Sequence, residues 1–424
     1  MAEGNKEYMP RLRFPEFHGG ETWIQTPLKD VALLKNGYAF KSKNYVSNGK
    51  YKIVTISNVK SGYFDKGNMN TINELPSDIQ KHQILNIGDI LISMTGNVGR
   101  VCRVDAEQCL LNQRVGKIIP FGVNNIFLYH IFQTDIFIDN MKIKAIGGAQ
   151  GNLSVSSIQE YKVCYPRNEE EQQKIADCLS SLDELIEAHG QKRDSLLEHK
   201  KGLMQRLFPA EGENTPRWRF PEFRQAKKWD TALLGTLTTK IGSGVTPRGG
   251  EQNYLPSGVP FVRSQNVGWG KLLLNDIAFI PYDIHETLLS TELQLEDVLL
   301  NITGASIGRC ALVDNEISGG NVNQHVCIIR VKKEKLNSVF LMQYIISAMG
   351  QKQIDSYQAG GNRQGLNFAQ VAAFDIPLPS LPEQQKIADC LSSLDDRIEA
   401  EEDKITSLRE HKQGLMQRLF PQSL

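Results

Sequence analysis

EQQKIADCLSSLD, residues 171–183, returns letter for letter at residues 383–395. The likeness runs on to GLMQRLFP at 202–209 and again at 414–421. Over 171–209 and its copy 212 positions later, 30 of 39 residues are identical. A second echo precedes each half, PRLRFPEF at 10–17 and PRWRFPEF at 216–223. The 424-residue chain is therefore two similar halves, each a long divergent segment followed by a nearly invariant one. A period of about 210 residues is too long for a solenoid unit. Duplication on this scale implies internal two-fold symmetry and a molecule that meets its partners twice.

The repeated segments read as helices. With Ile175 as position a of a heptad, Leu182, Leu196 and Leu203 fall on one line and Leu179, Ile186 and Leu207 beside it. The second copy repeats this with Ile387, Leu394, Leu408 and Leu415, flanked by Leu391, Ile398, Ile405 and Leu419. That is helical spacing. Ser380 and Glu383 have capping-box spacing with Pro382 in the first turn, and Asn168 with Glu171 is the lesser copy. Pro209 and Pro421 mark the ends. Each helix is then about 38 residues, roughly 57 Å at the usual rise. So narrow a stripe needs a partner, and the other copy is the obvious one, giving a two-helix coiled coil. Its seam would hold Ile175, Leu179, Leu182, Ile186, Leu196 and Leu203 with Ile387, Leu391, Leu394, Ile398, Leu408 and Leu415. The stripe alone does not give direction. A dyad across the helices makes them antiparallel, with the divergent segments at opposite ends. The plainer alternative packs each helix on its own domain.

The divergent segments mix short apolar runs with glycine-rich joints. Runs at 51–56, 89–94, 116–120, 297–302 and 326–331 read as strands. Stretches 242–250 and 360–365 read as loops. The two segments answer each other. Asn58 matches Asn266, Thr95–Gly96 matches Thr303–Gly304, Asn112–Gln113 matches Asn323–Gln324, and Gly147–Gly148 matches Gly360–Gly361. The expected fold class is α+β: two mixed α/β domains separated by two long antiparallel helices forming a coiled coil, with pseudo-two-fold symmetry. Domain bounds are expected at 1–167, 168–212, 213–379 and 380–424.

Composition narrows function. The 48 basic and 48 acidic residues balance, which excludes a bulk polycation but not local basic patches. Seven cysteines without a CxxC pair read as reduced thiols, hence a cytoplasmic protein, and no apolar run approaches a membrane span. No phosphate-binding GxxxxGK[ST] and no HExxH occurs. No Pro-Pro or Pro-Cys dipeptide occurs, so the loop with which a base methyltransferase grips its flipped base is missing. No catalytic residue, metal ligand or cofactor is expected.

Asn112–Gln113–Arg114 and Asn323–Gln324–His325 have the chemistry to read bases, since Asn and Gln can bond adenine and Arg guanine. Residues common to both halves suit structure better than the reading of two different sequences. The readers are therefore expected where the halves differ. In the first these are Lys41, Ser42, Lys43, Asn44, Asn97 and Arg100. In the second they are Thr246, Arg248, Arg263, Gln265, Asn362 and Arg363. The bland reading of each is a solvated loop residue, and Lys or Arg there would position phosphates without reading bases.

PLPSLPEQQKIA at 377–388, its partner EQQKIA at 171–176, the GLMQRLFP ends and the GDILI run at 88–92 leading into Thr95–Gly96 together resemble the specificity (S) subunit of type I restriction–modification systems. The likeness covers nearly the whole chain. The first copy departs from it before Glu171, where Asn168–Glu169–Glu170 stands in place of Leu-Pro. The resemblance implies a non-catalytic subunit whose two domains each read one half of a split, asymmetric target in double-stranded DNA. It implies that the helices space the domains and dock two methyltransferase (M) subunits, with motor-nuclease (R) subunits joining. Two other readings stand beside it: a scaffold joining two copies of a protein without reading DNA, and a self-contained DNA enzyme.

Overall fold

Apolar residues in runs of three to six, broken by Gly and Asn turns, build sheets in both divergent segments. A computed structural model describes residues 8–146, 152–358 and 365–421. The chain divides into two units, Met1–Gly190 with Asp403–Leu424, and Gln191–Glu402. Each takes the first half of one long helix and the second half of the other. The helices are Glu169–Leu207 and Leu381–Leu419, 39 residues each, about 58 Å.

The first unit holds a four-stranded antiparallel sheet in the order Ala32–Asn36, Val115–Pro120, Ile90–Ser93, Val101–Arg103. A second sheet runs Asn70–Ile72, Tyr51–Val54, Cys109–Leu111, Ile84–Leu85, with the middle pair parallel. The second unit repeats the first sheet as Thr238–Ser243, Val326–Val331, Val298–Asn301, Cys310–Leu312. Its other sheet has three strands, Ala278–Ile280, Val259–Val262 and Asn321–Val322. A two-stranded ribbon closes each domain before the helix, Ile24–Pro27 with Lys162–Tyr165 and Asp230–Leu233 with Asp375–Leu378. All five strands expected from the sequence are present, four with slightly shifted ends. Within each four-stranded sheet the buried central strand sits in an equivalent place, its leading Asp paired to a cation on the next strand. Asp89 meets Lys117 at 2.5 Å, and Asp297 meets Arg330 at 2.7 and 2.8 Å.

The helix stripe divides its work. Ile175, Ala176 and Leu179 are buried in the core of the first domain, and Ile387, Ala388 and Leu391 in that of the second. These positions lie in cores that the late part of the other helix also enters, with Leu415, Met416 and Leu419 in the first and Leu203, Met204 and Leu207 in the second, so the first turns pack on the domain and on the other helix together. In the second unit the seam is Leu196, Leu394 and Ile398, with Leu203 against them. Leu182, Ile186, Leu408 and Leu415 are half-buried. The seam also uses polar side chains that the apolar pattern did not mark. Lys412 meets both carboxylate oxygens of Asp183 at 2.6 and 2.7 Å, and Lys200 meets Asp395 at 2.6 Å. Each pair joins the early part of one helix to the late part of the other, which makes the helices antiparallel within each unit. Burial pushes the Asp183 carboxyl above its ordinary range, while Lys412 pulls it back.

The helix ends finish in the cores. Phe420 stacks against Trp23 and Phe127, and Phe208 against Phe340 and Tyr344. Burying such a ring contributes about 2–3 kcal/mol. In the first unit the amide of Leu12 bonds the Arg418 carbonyl at 2.9 Å, and in the second Trp218 bonds Arg206 at 3.0 Å. The second contact is between residues 12 apart, whereas the first joins opposite ends of the chain.

One buried group differs between the units and titrates. His130 is fully buried, 3.3 Å from Ser180 Oγ through Nε2, with Nδ1 unpartnered. Its counterpart is Gln343, which donates to Asp395 at 2.7 Å. Burial, then the charges of Lys412 and Arg103, holds the His130 imidazolium well below its usual range. A folded value below the unfolded one means that the unfolded chain binds the extra proton. The contribution is therefore complete above about pH 6.5 and is lost as pH falls below it, by at most about 1.4 kcal/mol per pH unit. Thermal melts from pH 8 to 5 should show the first unit weakening over that range, and His130→Gln should flatten the decline.

Candidate nucleic-acid interface

Three loops gather at one end of the four-stranded sheet in each unit. The first is the Asn-Gln turn. Asn112 and Asn323 anchor it by accepting a backbone N–H two residues on, Arg114 at 3.3 Å and His325 at 3.0 Å. Their own amides bond Val54 at 3.1 Å and Val262 at 3.0 Å in the neighbouring strands. The Thr-Gly turn lies beside it, with Met94 N–H on Arg114 O at 3.2 Å and Ile302 N–H on His325 O at 3.0 Å. The segments that begin at residues 152 and 365 complete the group, Leu153 bonding Met94 at 2.9 Å and Leu366 bonding Ile302 at 2.8 Å.

Another strand end crosses the Asn-Gln turn so closely that it needs glycine. A Cβ at Gly37 would lie 2.3 Å from the Asn112 carbonyl, and one at Gly244 1.6 Å from the Val322 oxygen. The result is a rigid platform that presents Gln113, Arg114 and Gln324 to solvent. Shared residues thus build the platform, as expected of Asn112 and Asn323, but the same turn also exposes polar side chains fitted to base edges.

The expected readers are distributed unevenly. Lys41, Ser42, Lys43 and Asn44 are exposed on a short 3-10 turn, Ser42–Asn44. Tyr38, three residues before Lys41, bonds both Leu111 and Gln113 through its backbone, so this turn adjoins the platform. Asn97 is exposed on the Thr-Gly turn, and Arg100 is half-buried where that turn rejoins its strand. Thr246 is held directly by Gln324. Arg248 is exposed. Arg263, half-buried, and Gln265, exposed, are both bonded to Asp276 at the surface, with Arg263 also 5.4 Å over the Tyr254 ring. Asn266 holds that turn closed, as Asn58 does in the first unit, each almost fully buried. Asn362, Arg363, Gly147–Gly148 and Gly360–Gly361 lie outside the described residues.

The sequence reading did not connect the two echoes, and the structure does. Arg13 of PRLRFPEF grips Glu171 with two bonds of 2.7 Å, and Arg219 of PRWRFPEF grips Glu383 at 2.7 and 2.6 Å. Both glutamates are almost fully buried. The Glu383 carboxylate thus goes to an arginine 164 residues away in place of the expected capping box. The next letters are equally committed. Gln172 accepts from Asn124 N–H and donates to Pro166 O, while Gln384 accepts from Asn337 N–H and donates to Pro379 O. Gln173 and Gln385 accept from the same two asparagine side chains. Lys174 lies over Phe14 and pairs with Glu16, and Lys386 does the same with Phe220 and Glu222. The invariance of EQQK is a network of contacts to the domain that each helix follows.

Residues 20–198 and 227–410 match the family model described as the type I restriction modification DNA specificity domain. The chain belongs to that family. Its role within it is DNA sequence recognition. The putative type I restriction enzyme MjaX specificity subunit of Methanocaldococcus jannaschii is 25% identical over 418 residues, 94% of this chain and 93% of that one. The EcoBI specificity subunit of Escherichia coli is 23% identical over 388 residues, 87% and 78% of the two chains. The crystal structure of the S subunit from M. genitalium superposes with a TM-score of 0.64 at 16% identity, covering 98% of this chain and all of that one. That likeness confirms the α+β architecture with its two domains and long helices.

Removing one side of the buried clamp leaves a charge without its partner. Arg219→Ala should lower stability by about 3–5 kcal/mol in urea unfolding. The double variant Arg219→Met, Glu383→Met should recover most of that loss.

Proposed function

We propose that this chain is the non-catalytic reading subunit of a cytoplasmic type I restriction–modification complex, acting on double-stranded DNA with a split, asymmetric target. Domain 18–167 reads one half and domain 224–379 the other. The long helices set the separation and dock two methyltransferase subunits, and motor-nuclease subunits join that assembly. The observation that carries this is the contrast within one chain: a clamp and helix repeated almost letter for letter, beside two domains with the same sheet but different loops. Equal helices fit a partner met twice, and unequal loops fit two unequal half-sites. Half-sites read from one face of DNA lie about 34–36 Å apart, or a multiple of it, within the reach of helices of this length. A solved relative, 18% identical with a TM-score of 0.51, comes from work on complex assembly of a type I R-M system. Among the described residues no helix is long and apolar enough to cross a membrane. Nor does any cluster of His, Cys, Asp and Glu there have the make-up of a metal site.

Exchanging residues 18–167 for the corresponding domain of a relative keeps Arg13, Glu171 and both helices. Methylation mapping in cells with the complete system should then show a change in one half of the modified sequence only. A change in both halves, or in neither, would sink the modular reading. The helices offer a second test. Asp183 and Lys200 are 17 residues apart, as are Asp395 and Lys412. One heptad inserted after residue 190 alone puts the two ion pairs out of step, and should lower the melting temperature and weaken target binding. A matched heptad after residue 402 should restore both, with a longer spacer in the methylated site. An unchanged spacer would count against the helices as a ruler.

A further inference from the structure

We propose that Gln324 reads one base pair of the half-site facing the C-terminal domain, and that it reads as a hydrogen-bond donor that rejects a cytosine edge and favours guanine. The inference rests on the reading that residues 224–379 touch DNA, and adds to it which side chain reads and what it accepts.

Gln324 is exposed at the tip of the Asn-Gln turn, which Asn323 anchors to His325 and to the neighbouring strand at Val262. A side chain on so fixed a backbone can meet a base edge in one geometry, which specific contact requires. Its amide is also fixed. The side-chain oxygen accepts from the backbone N–H of Thr246 at 3.1 Å and from the Thr246 hydroxyl. A backbone N–H can only donate, so the group facing Thr246 is the oxygen and the NH2 faces the other way. Two donors fill both lone pairs of that oxygen.

The bidentate glutamine–adenine contact needs the oxygen to accept from adenine N6 while the NH2 donates to N7. Here the oxygen is occupied, and that contact is closed. The NH2 remains. Its nitrogen is 3.4 Å from His325 Nε2, and His325 Nδ1 is 2.6 Å from Thr303 Oγ1. With one hydrogen toward His325, the other is left for an acceptor. In the major groove guanine shows two neighbouring acceptors, N7 and O6; adenine N7 is flanked by the N6 donor, thymine O4 by a methyl group, and cytosine shows only a donor. The relay Thr246, Gln324, His325, Thr303 therefore presents a donor without an acceptor, which excludes cytosine, leaves adenine N6 unmatched and favours guanine, the base whose edge is all acceptor. In the first domain Ala39 stands where Thr246 stands in the second, so Gln113 has no hydroxyl to hold its amide. The same turn is thus set differently in the two halves.

The test uses the full chain with the methyltransferase subunits of its own system. The methylated target is mapped first. Duplexes carrying all four bases at each pair of the C-terminal half-site are then assayed for binding. The wild-type target should hold a guanine pair at which Gln324→Ala reduces discrimination about tenfold to a hundredfold, the other pairs unchanged. Thr246→Val removes the hydroxyl, returns one lone pair to the amide oxygen, and should raise tolerance of adenine at that same pair without lowering the melting temperature. Unchanged discrimination in Gln324→Ala would overturn the proposal. So would an equal loss of affinity on every sequence, or an effect confined to an A·T pair. A wild-type complex that shows no base preference anywhere in this half-site would instead sink the reading beneath it.

Discussion

Two lysines set the direction of the helices. Lys200 and Lys412 are more than nine-tenths buried, and a buried ammonium is tolerated only beside an opposite charge. Each copy of the repeat supplies the Asp of one pair from its early part and the Lys of the other from its late part. Run antiparallel, two identical copies make the same Asp–Lys pair twice. Run parallel and in register, they would set Asp183 beside Asp395 and Lys200 beside Lys412. The apolar stripe is compatible with either direction, but the charges are not. Near identity between the copies follows, because each must supply both halves of a pair that it makes only with the other.

The domains hang on that frame by a second duplicated device. The arginine that grips the first turn of each helix comes from the segment before its domain, and the glutamine after the gripped glutamate bonds the strand just before the helix. Almost every invariant letter at the helix start has such a partner. Residues flanking the shared turns at the end of the sheet carry no such obligation, and there the halves diverge, as Ala39 does from Thr246.

The sequence made the frame legible because duplication is visible in letters and the apolar stripe has the period of a helix. It also disclosed the central strands, whose runs of buried aliphatics are unambiguous. Three things stayed hidden, each for a physical reason. Lys200, Lys412, Glu171 and Glu383 are charged, and apolar patterning assigns such residues to solvent. Their burial depends on partners 158–229 residues away. The first turns of the stripe belong to domain cores because the strands they meet are brought there by tertiary folding. Among the expected readers, Arg263 and Gln265 are tied to Asp276, a partner that no local pattern announces. Gln324 is shared by both halves, yet its environment is not, and Thr246 opposite Ala39 is the difference between them.

The Arg–Glu clamps also bear on how such a chain changes over generations. Each fastens the two ends of its domain together, closing a loop of 158 residues in one half and 164 in the other. The entropy of closing a flexible loop rises only with the logarithm of its length, so those six residues alter it by only a few hundredths of a kcal/mol. What lies between the fastened ends can therefore lengthen, shorten or be exchanged wholesale at little thermodynamic cost, provided the arginine and glutamate remain.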